Sequence, residues 1–229
     1  MVVGTSSRFE ASVETADDAG FDAVYPEAMR LVSRRFWTPV AVAKRAAEQF
    51  TTHSARRVLD VGSGAGKFVL VASRAARGIE FVGVEQRGHL VEIARRAQRA
   101  LRAKNARFVE GDATESSWAA FDGFYFFNPF AENLFSDEDR LDDRVELSMP
   151  RFALHVLRVE HALRSAKLGS VLVTYHGSSG RIPACFDLEH AERAGSDWLR
   201  TWIKKRPGVE DGRFYVEADG GVTLHDGTA

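Results

Sequence analysis

The stretch VLDVGSGAGK, residues 58 to 67, sets Gly62, Gly64 and Gly66 at alternate positions behind a basic pair, Arg56 and Arg57. Glycine costs a helix or strand roughly 0.5–1 kcal/mol relative to alanine, so such a run persists where the backbone must turn sharply or be approached closely. The apolar residues before it read as a strand. The alanine-rich residues 66 to 77 after it read as a helix. A strand, glycine turn and helix in this order direct the chain toward an α/β fold.

The rest of the chain agrees. Short apolar runs recur in RRVLDVG, IEFVGVE, ARFVEGD, FDGFYFF and SVLVTYH, and each reads as a strand. Their near-continuous apolarity predicts strands covered on both faces, hence a mostly parallel sheet. Between them Leu90, Ala94, Ala97 and Leu101 fall at helical spacing, as do Phe152, Val156, Val159 and Leu163. Upstream, TPVAVAKRAAEQF predicts a helix with Thr38 as N-cap and Pro39 at its first position, presenting Val40, Ala43, Ala47 and Phe50 on one face. After the fifth strand, CFDLEHAERAGSDWLRTWIKK reads as two strands around a Gly-Ser-Asp turn, with a partly helical alternative because Trp198 and Trp202 lie four apart. RFYVEADGGVTLHDGTA reads as one strand, a glycine turn and a frayed end.

Composition excludes several function classes. The 229 residues suit one domain, read as 25–229 behind a polar, disordered leader at 1–24. No apolar run approaches the roughly 20 residues of a membrane span, and the N-terminus lacks the pattern of a secretory signal. The single cysteine, Cys185, permits neither an internal disulfide nor a multi-thiolate zinc site, which fits a cytoplasmic setting. His155 and His161 are too far apart to chelate one metal, so no metal is expected. A net charge of -1 argues against nucleic acid as the partner.

Three ligand classes use glycine turns of this kind. A P-loop needs G-x-x-x-x-G-K-[ST], but Phe68 follows Lys67 and Val61 stands where the first glycine belongs. A dinucleotide turn needs G-x-G-x-x-G, and the third glycine, Gly66, comes one residue early. There remains D-x-G-x-G-x-G, formed by Asp60, Gly62, Gly64 and Gly66. Glu85 then ends the second strand in FVGVEQR, Asp112 follows the third in EGDA, and Asn128-Pro129-Phe130 closes the fourth. In register, these motifs resemble those of the class I S-adenosylmethionine-dependent methyltransferases. The resemblance spans residues 36 to 176.

That resemblance implies a doubly wound, Rossmann-like methyltransferase fold, with a mostly parallel seven-stranded sheet and an antiparallel C-terminal hairpin. It implies S-adenosyl-L-methionine as cofactor. Asp60, Gly62, Ser63, Gly64 and Gly66 would border its methionine part, Glu85 and Gln86 its ribose, and Asp112 and Ala113 its adenine. Upstream, FWTP resembles the Thr-Pro element of some nucleic-acid N-methyltransferases and adds Phe36 and Thr38 to the pocket. FFNPFAEN resembles the (Asn/Asp/Ser)-Pro-Pro-(Tyr/Phe) loop of nitrogen methylases, with one proline instead of two. It makes Asn128, Pro129 and Phe130 the catalytic candidates, with Asn128 also against the cofactor.

The acceptor is expected to be a protein side chain or small molecule, because AENLFSDEDRLDDR after the fourth strand is acidic and would repel a phosphate backbone. That stretch reads as a lid over the substrate mouth. Phe124, Tyr125, Phe126 and Phe127 read as core, and the arginines of RRAQRALRAK as a solvated face. Tyr175 and His176 end the fifth strand at the edge a pocket would use. Two alternatives stay open: a non-catalytic binding module on the same fold, and a nicotinamide-dependent oxidoreductase.

Overall fold

The structure, a computed structural model, describes residues 17–218 and 221–226. Its elements in chain order are α1 (Asp18–Asp22), α2 (Glu27–Phe36), α3 (Val40–Thr52), β1 (Arg57–Val61), α4 (Lys67–Ala75), β2 (Glu80–Glu85), α5 (Gly88–Leu101), β3 (Ala106–Glu110), β4 (Gly123–Phe127), α6 (Met149–Ser165) and β5 (Val171–Tyr175). Five further strands follow: β6 (Arg181–Pro183), β7 (Phe186–Ala194), β8 (Asp197–Lys204), β9 (Phe214–Ala218) and β10 (Gly221–His225).

Seven strands form one sheet in the order β3-β2-β1-β4-β5-β8-β7. The first five in that order pair in parallel, and the β7–β8 hairpin is antiparallel to β5 and to itself. This is the doubly wound α/β sheet the sequence predicts, with the Gly-Ser-Asp turn making a hairpin rather than a helix. The strand order reverses between β1 and β4, and ligands in open α/β sheets bind outside the carboxyl ends at such a point.

Two apolar layers cover the sheet. On one side, Val40, Ala43, Ala47 and Phe50 of α3 are buried with Phe68 of α4 and with Leu90, Ala94, Ala97 and Leu101 of α5. On the other, Phe124, Phe126, Trp118 and Trp202 pack with Val159 and Leu163 of α6. Val58, Leu59, Phe124, Leu172 and Val173 are wholly enclosed, as expected of central strands. By contrast β3, at the edge, leaves Arg107 and Val109 exposed, so it is not covered on both faces.

Three features depart from the sequence reading, and the setting of Lys67 is new beside them. The sequence predicts a disordered leader to residue 24; residues 1–16 lie outside the described residues, while α1 is helical with Phe21 buried. Thr38 does not cap α3: the helix starts at Val40, whose N–H donates to Asp18 Oδ1 of α1 at 2.9 Å. The C-terminal segment holds two strands rather than one, and with β6 they form a separate sheet in the order β10-β9-β6. Lys67, at the start of α4, is buried between Asp18 (2.7 Å) and Asp22 (2.8 Å) and donates to Ser33 Oγ. Its charge is spent on α1. Among the described residues no helix is long and apolar enough to cross a membrane.

Candidate active site

A cleft of about 360 Å³ opens at the carboxyl ends of β1, β2, β3, β4 and β5, within the usual range for small-molecule sites. Gly62 and Gly64 border it from the turn after β1, Glu85 and Gln86 from the end of β2, and Asp112 and Ala113 from beyond β3. Phe36 and Asn128-Pro129-Phe130 border it as well. Ten of the predicted site residues therefore share one concavity. The other four do not reach it.

Those four have other occupations. Thr38 is buried against the Tyr125 hydroxyl at 3.0 Å. Asp60 and Ser63 are buried beneath the turn, Ser63 lying where a Cβ on Gly83 would come within 2.6 Å of it. Gly66 faces the protein: a Cβ there would stand 2.4 Å from the Phe108 ring and 2.9 Å from Ala94. Its φ of 81° also lies in the left-handed region that side chains resist. The glycine of closest interest, Gly64, has the Trp37 indole beside it, 2.1 Å from where its Cβ would be. The close approach that Gly64 permits is therefore by the protein itself: the indole occupies that space and forms an aromatic wall. Gly62, with φ 74° and only ordinary contacts, is the open end of the turn.

The acids are fixed by their own backbones. Glu85 Oε2 accepts the Gly64 N–H and Oε1 the Arg87 N–H, both at 2.9 Å. Burial pushes the Glu85 carboxyl above the ordinary carboxylate range, against those amides and the Arg87 charge. Burial, reinforced by Glu85, pushes Asp60 well above it. Asp112 is half-buried, and against that partial desolvation Thr114 and His155 hold its carboxyl below the ordinary range. Thr114 donates to Asp112 Oδ1 through both N–H (2.8 Å) and Oγ1 (2.7 Å), while His155 Nε2 lies 3.3 Å from Oδ2. Asp112 is therefore a turn cap as well as a cleft residue.

The fourth-strand motif is shaped differently. Asn128 adopts φ 42°, unusual for a side-chain-bearing residue, and its Oδ1 accepts from the Ser179 hydroxyl. Its N–H donates to Gly177 O at 3.3 Å, tying the end of β4 to that of β5. Phe130 is 5% exposed and packs on His155 with centroids 4.8 Å apart. Its ring belongs mainly to the core, so it is not free to stack on a flat acceptor.

The acidic segment 131–144 borders the cleft through Glu132 and Leu141, and its carboxylates meet the protein's own arginines. Arg87 donates to Glu132 (2.9 Å) and Asp142 (2.8 Å), and Arg35 to Asp139 (2.8 Å). Trp37, Arg87, Ser179 and the turn residues Ser196 and Asp197 lie at or beside the cleft beyond the residues the sequence predicts. The Gly-Ser-Asp turn of the hairpin was the one sequence signal for the last two.

Comparisons with known proteins point the same way. Residues 52–144 match a family model described as a methyltransferase domain. The chain is 33% identical over 99 residues to the demethylmenaquinone methyltransferase of Deinococcus radiodurans, a match covering 40% of this chain and 41% of that protein. The chain thus spans less than half the length of this curated relative. An RNA methyltransferase from Salinibacter ruber in complex with S-adenosyl-L-homocysteine shares the fold, with TM-score 0.51 and 19% identity over 76% of this chain and 97% of that one. So does an O-methyltransferase from neocarzinostatin biosynthesis, solved with S-adenosyl-L-homocysteine and 1,4-dihydroxy-2-naphthoic acid: TM-score 0.52, 12% identity, 81% of this chain and 57% of that one. The strand order and the glycine turn are those of the class I S-adenosylmethionine-dependent methyltransferase fold, and residues 52–144 within it match a methyltransferase domain.

Proposed function

We propose that the protein is a cytoplasmic enzyme that transfers the methyl group of S-adenosylmethionine to a nitrogen of a small molecule or protein side chain. The observation that carries this reading is the convergence of Glu85, Asp112 and Asn128, from three successive strand ends, on the cleft bordered by Gly62 and Gly64. The residues present suit the cofactor. An ionised carboxylate offers about four acceptor sites, and Glu85 gives two of its own to amides, which leaves capacity for a ribose diol. Trp37 and Phe36 supply apolar wall, and Asp112 stands ready for the adenine amino group.

When bound, S-adenosylmethionine supplies an electrophilic methyl carbon on a sulfonium. The chain's task is then to aim a lone pair at that carbon, and orientation of this kind lowers barriers by several kcal/mol. Asn128, held at an unusual backbone angle and by Ser179, is the residue suited to it. Its second Oδ1 lone pair, with the neighbouring backbone carbonyl, would accept from the acceptor's N–H groups. Those bonds strengthen as positive charge grows on nitrogen, which is the differential binding catalysis requires. The engagement of Oδ1 by Ser179 also supports a second reading, a cofactor-binding module without turnover.

Calorimetry with S-adenosylhomocysteine and with NAD tests the cofactor: binding of NAD alone would end this reading. Labelled S-adenosylmethionine incubated with cell extract tests turnover. Wild type should transfer label, and Asn128→Ala should transfer at least about tenfold less, the loss of one transition-state hydrogen bond. Equal labelling by the two proteins removes Asn128 from the mechanism.

A further inference from the structure

We propose that His176, oriented by Asp197 and flanked by Ser196, is the base that takes the acceptor's proton, and that the acceptor is an alkyl amine; this inference rests on the methyltransferase reading above. His176 follows the last residue of β5 and borders the same cleft as Asn128, its ring 5.3 Å from that of Phe127. The hairpin turn between β7 and β8 brings Ser196 and Asp197 to it from twenty residues away. Its Nδ1 stands 2.8 Å from Asp197 Oδ2, and Asp197 Oδ1 accepts the Trp198 N–H at 2.6 Å, so the carboxylate cannot swing. A carboxylate on Nδ1 keeps the neutral ring's proton there and leaves Nε2 as an acceptor, met by the Ser196 hydroxyl until an acceptor's proton in the cleft takes that place. Nε2 lies 3.2 Å from the Ser196 hydroxyl, which also meets the Tyr175 hydroxyl at 3.2 Å and borders the cleft.

The backbone is built for this meeting. Gly195 takes φ 62°, and a Cβ on it would approach the Tyr175 hydroxyl at 3.2 Å, so glycine is what lets the turn sit down on the end of β5. Among the described non-glycine residues, five have positive φ, and three of them, Asn128, His176 and Ser179, lie at this corner. Strained backbone persists where surrounding structure imposes it, and it clusters at sites that bind or react. A histidine placed by packing alone would not need a fixed carboxylate behind it and an open cleft before it.

The chemistry selects the acceptor. An alkyl amine, with an unperturbed pKa near 10.4, arrives as an ammonium whose lone pair is occupied by a proton, whereas an amide or aromatic amine does not. Nε2 takes that proton. The freed lone pair forms the N–C bond while the C–S bond breaks, its electron pair passing to sulfur to leave a neutral thioether. The imidazolium, opposite Asp197 and 35% exposed in its side chain, returns the proton to solvent.

The test uses the full chain and its His176→Gln, His176→Ala and Asp197→Asn variants, each titrated with S-adenosylhomocysteine and assayed for label transfer from S-adenosylmethionine to cell extract. Affinity for S-adenosylhomocysteine should stay within about threefold of wild type in every variant. Transfer should fall at least about 100-fold in both His176 variants, the scale of general base catalysis, and added imidazole should partly restore His176→Ala. Nitrogen-15 spectra should show His176 protonated at Nδ1 in the wild type and the tautomer disturbed in Asp197→Asn. Transfer within threefold of wild type in His176→Gln, or loss that imidazole does not relieve while S-adenosylhomocysteine still binds, overturns the proposal, as does label found on an amide or aromatic amine. A wild type that neither binds S-adenosylhomocysteine nor transfers label is a different failure: it removes the methyltransferase reading itself.

Discussion

The two halves of the cleft are held by different means. Around β1, β2 and β3 the carboxylates are anchored to backbone amides: Glu85 to those of Gly64, across 21 residues, and of Arg87, and Asp112 to that of Thr114 two residues on. Around β4 and β5 side chain meets side chain, Asn128 with Ser179 across 51 residues and His176 with Ser196 across 20. There the backbone itself is strained at Asn128, His176 and Ser179. The first half is a preformed socket whose parts stabilise themselves. The second is assembled only when the whole sheet, including its hairpin, is in place.

The largest expected effect breaks the socket. Gly66→Ala combines a left-handed φ with a contact 2.4 Å from Phe108, and should cost about 3 kcal/mol of stability in denaturant titrations. Gly62→Ala, whose new Cβ meets only Pro129 at 3.5 Å, should cost about 1 kcal/mol. Equal losses would mean that the turn's conformation, not its packing, sets the requirement.

A smaller effect of opposite sign should mark the assembled half. Asn128→Gly relieves the strained φ and should raise stability by about 1 kcal/mol while label transfer falls. A destabilised Asn128→Gly would show that its bond with Ser179 outweighs the strain. The smallest effect depends on pH. The Asp112 carboxyl lies below its ordinary range when folded, so its contribution is complete above the unfolded pKa of about 3.9 and is lost as pH falls through the folded value. Asp112→Asn should therefore be destabilised by roughly half a kcal/mol at neutral pH, with the gap closing in acid. A gap that widens in acid would contradict the assignment.

This division also explains what the sequence revealed. The five parallel strands were legible because each is a compact apolar run, and the socket because its glycines and acids follow strands at fixed short intervals. Thr38 misled because its hydroxyl is taken by Tyr125, while the capping oxygen comes from Asp18, 22 residues earlier. The second sheet was missed for a similar reason: β6 is three residues long and acquires strand geometry only by pairing with β9. Trp37 could not be placed beside Gly64 from the chain alone, since nothing local brings a residue from before α3 onto the turn after β1. Ser179 likewise stands in an unremarkable Ser-Ser-Gly run.

The burial of Lys67 between Asp18 and Asp22 bears on how this turn could be reused. A cation at the first residue of a helix opposes the helix dipole, and here two carboxylates from an earlier segment offset it. Transplanted into another scaffold without that segment, the glycine turn would bring an unbalanced ammonium with it. The helix Asp18–Asp22 is in this sense a counterion delivered by the fold, and the loop it serves is not a portable cassette.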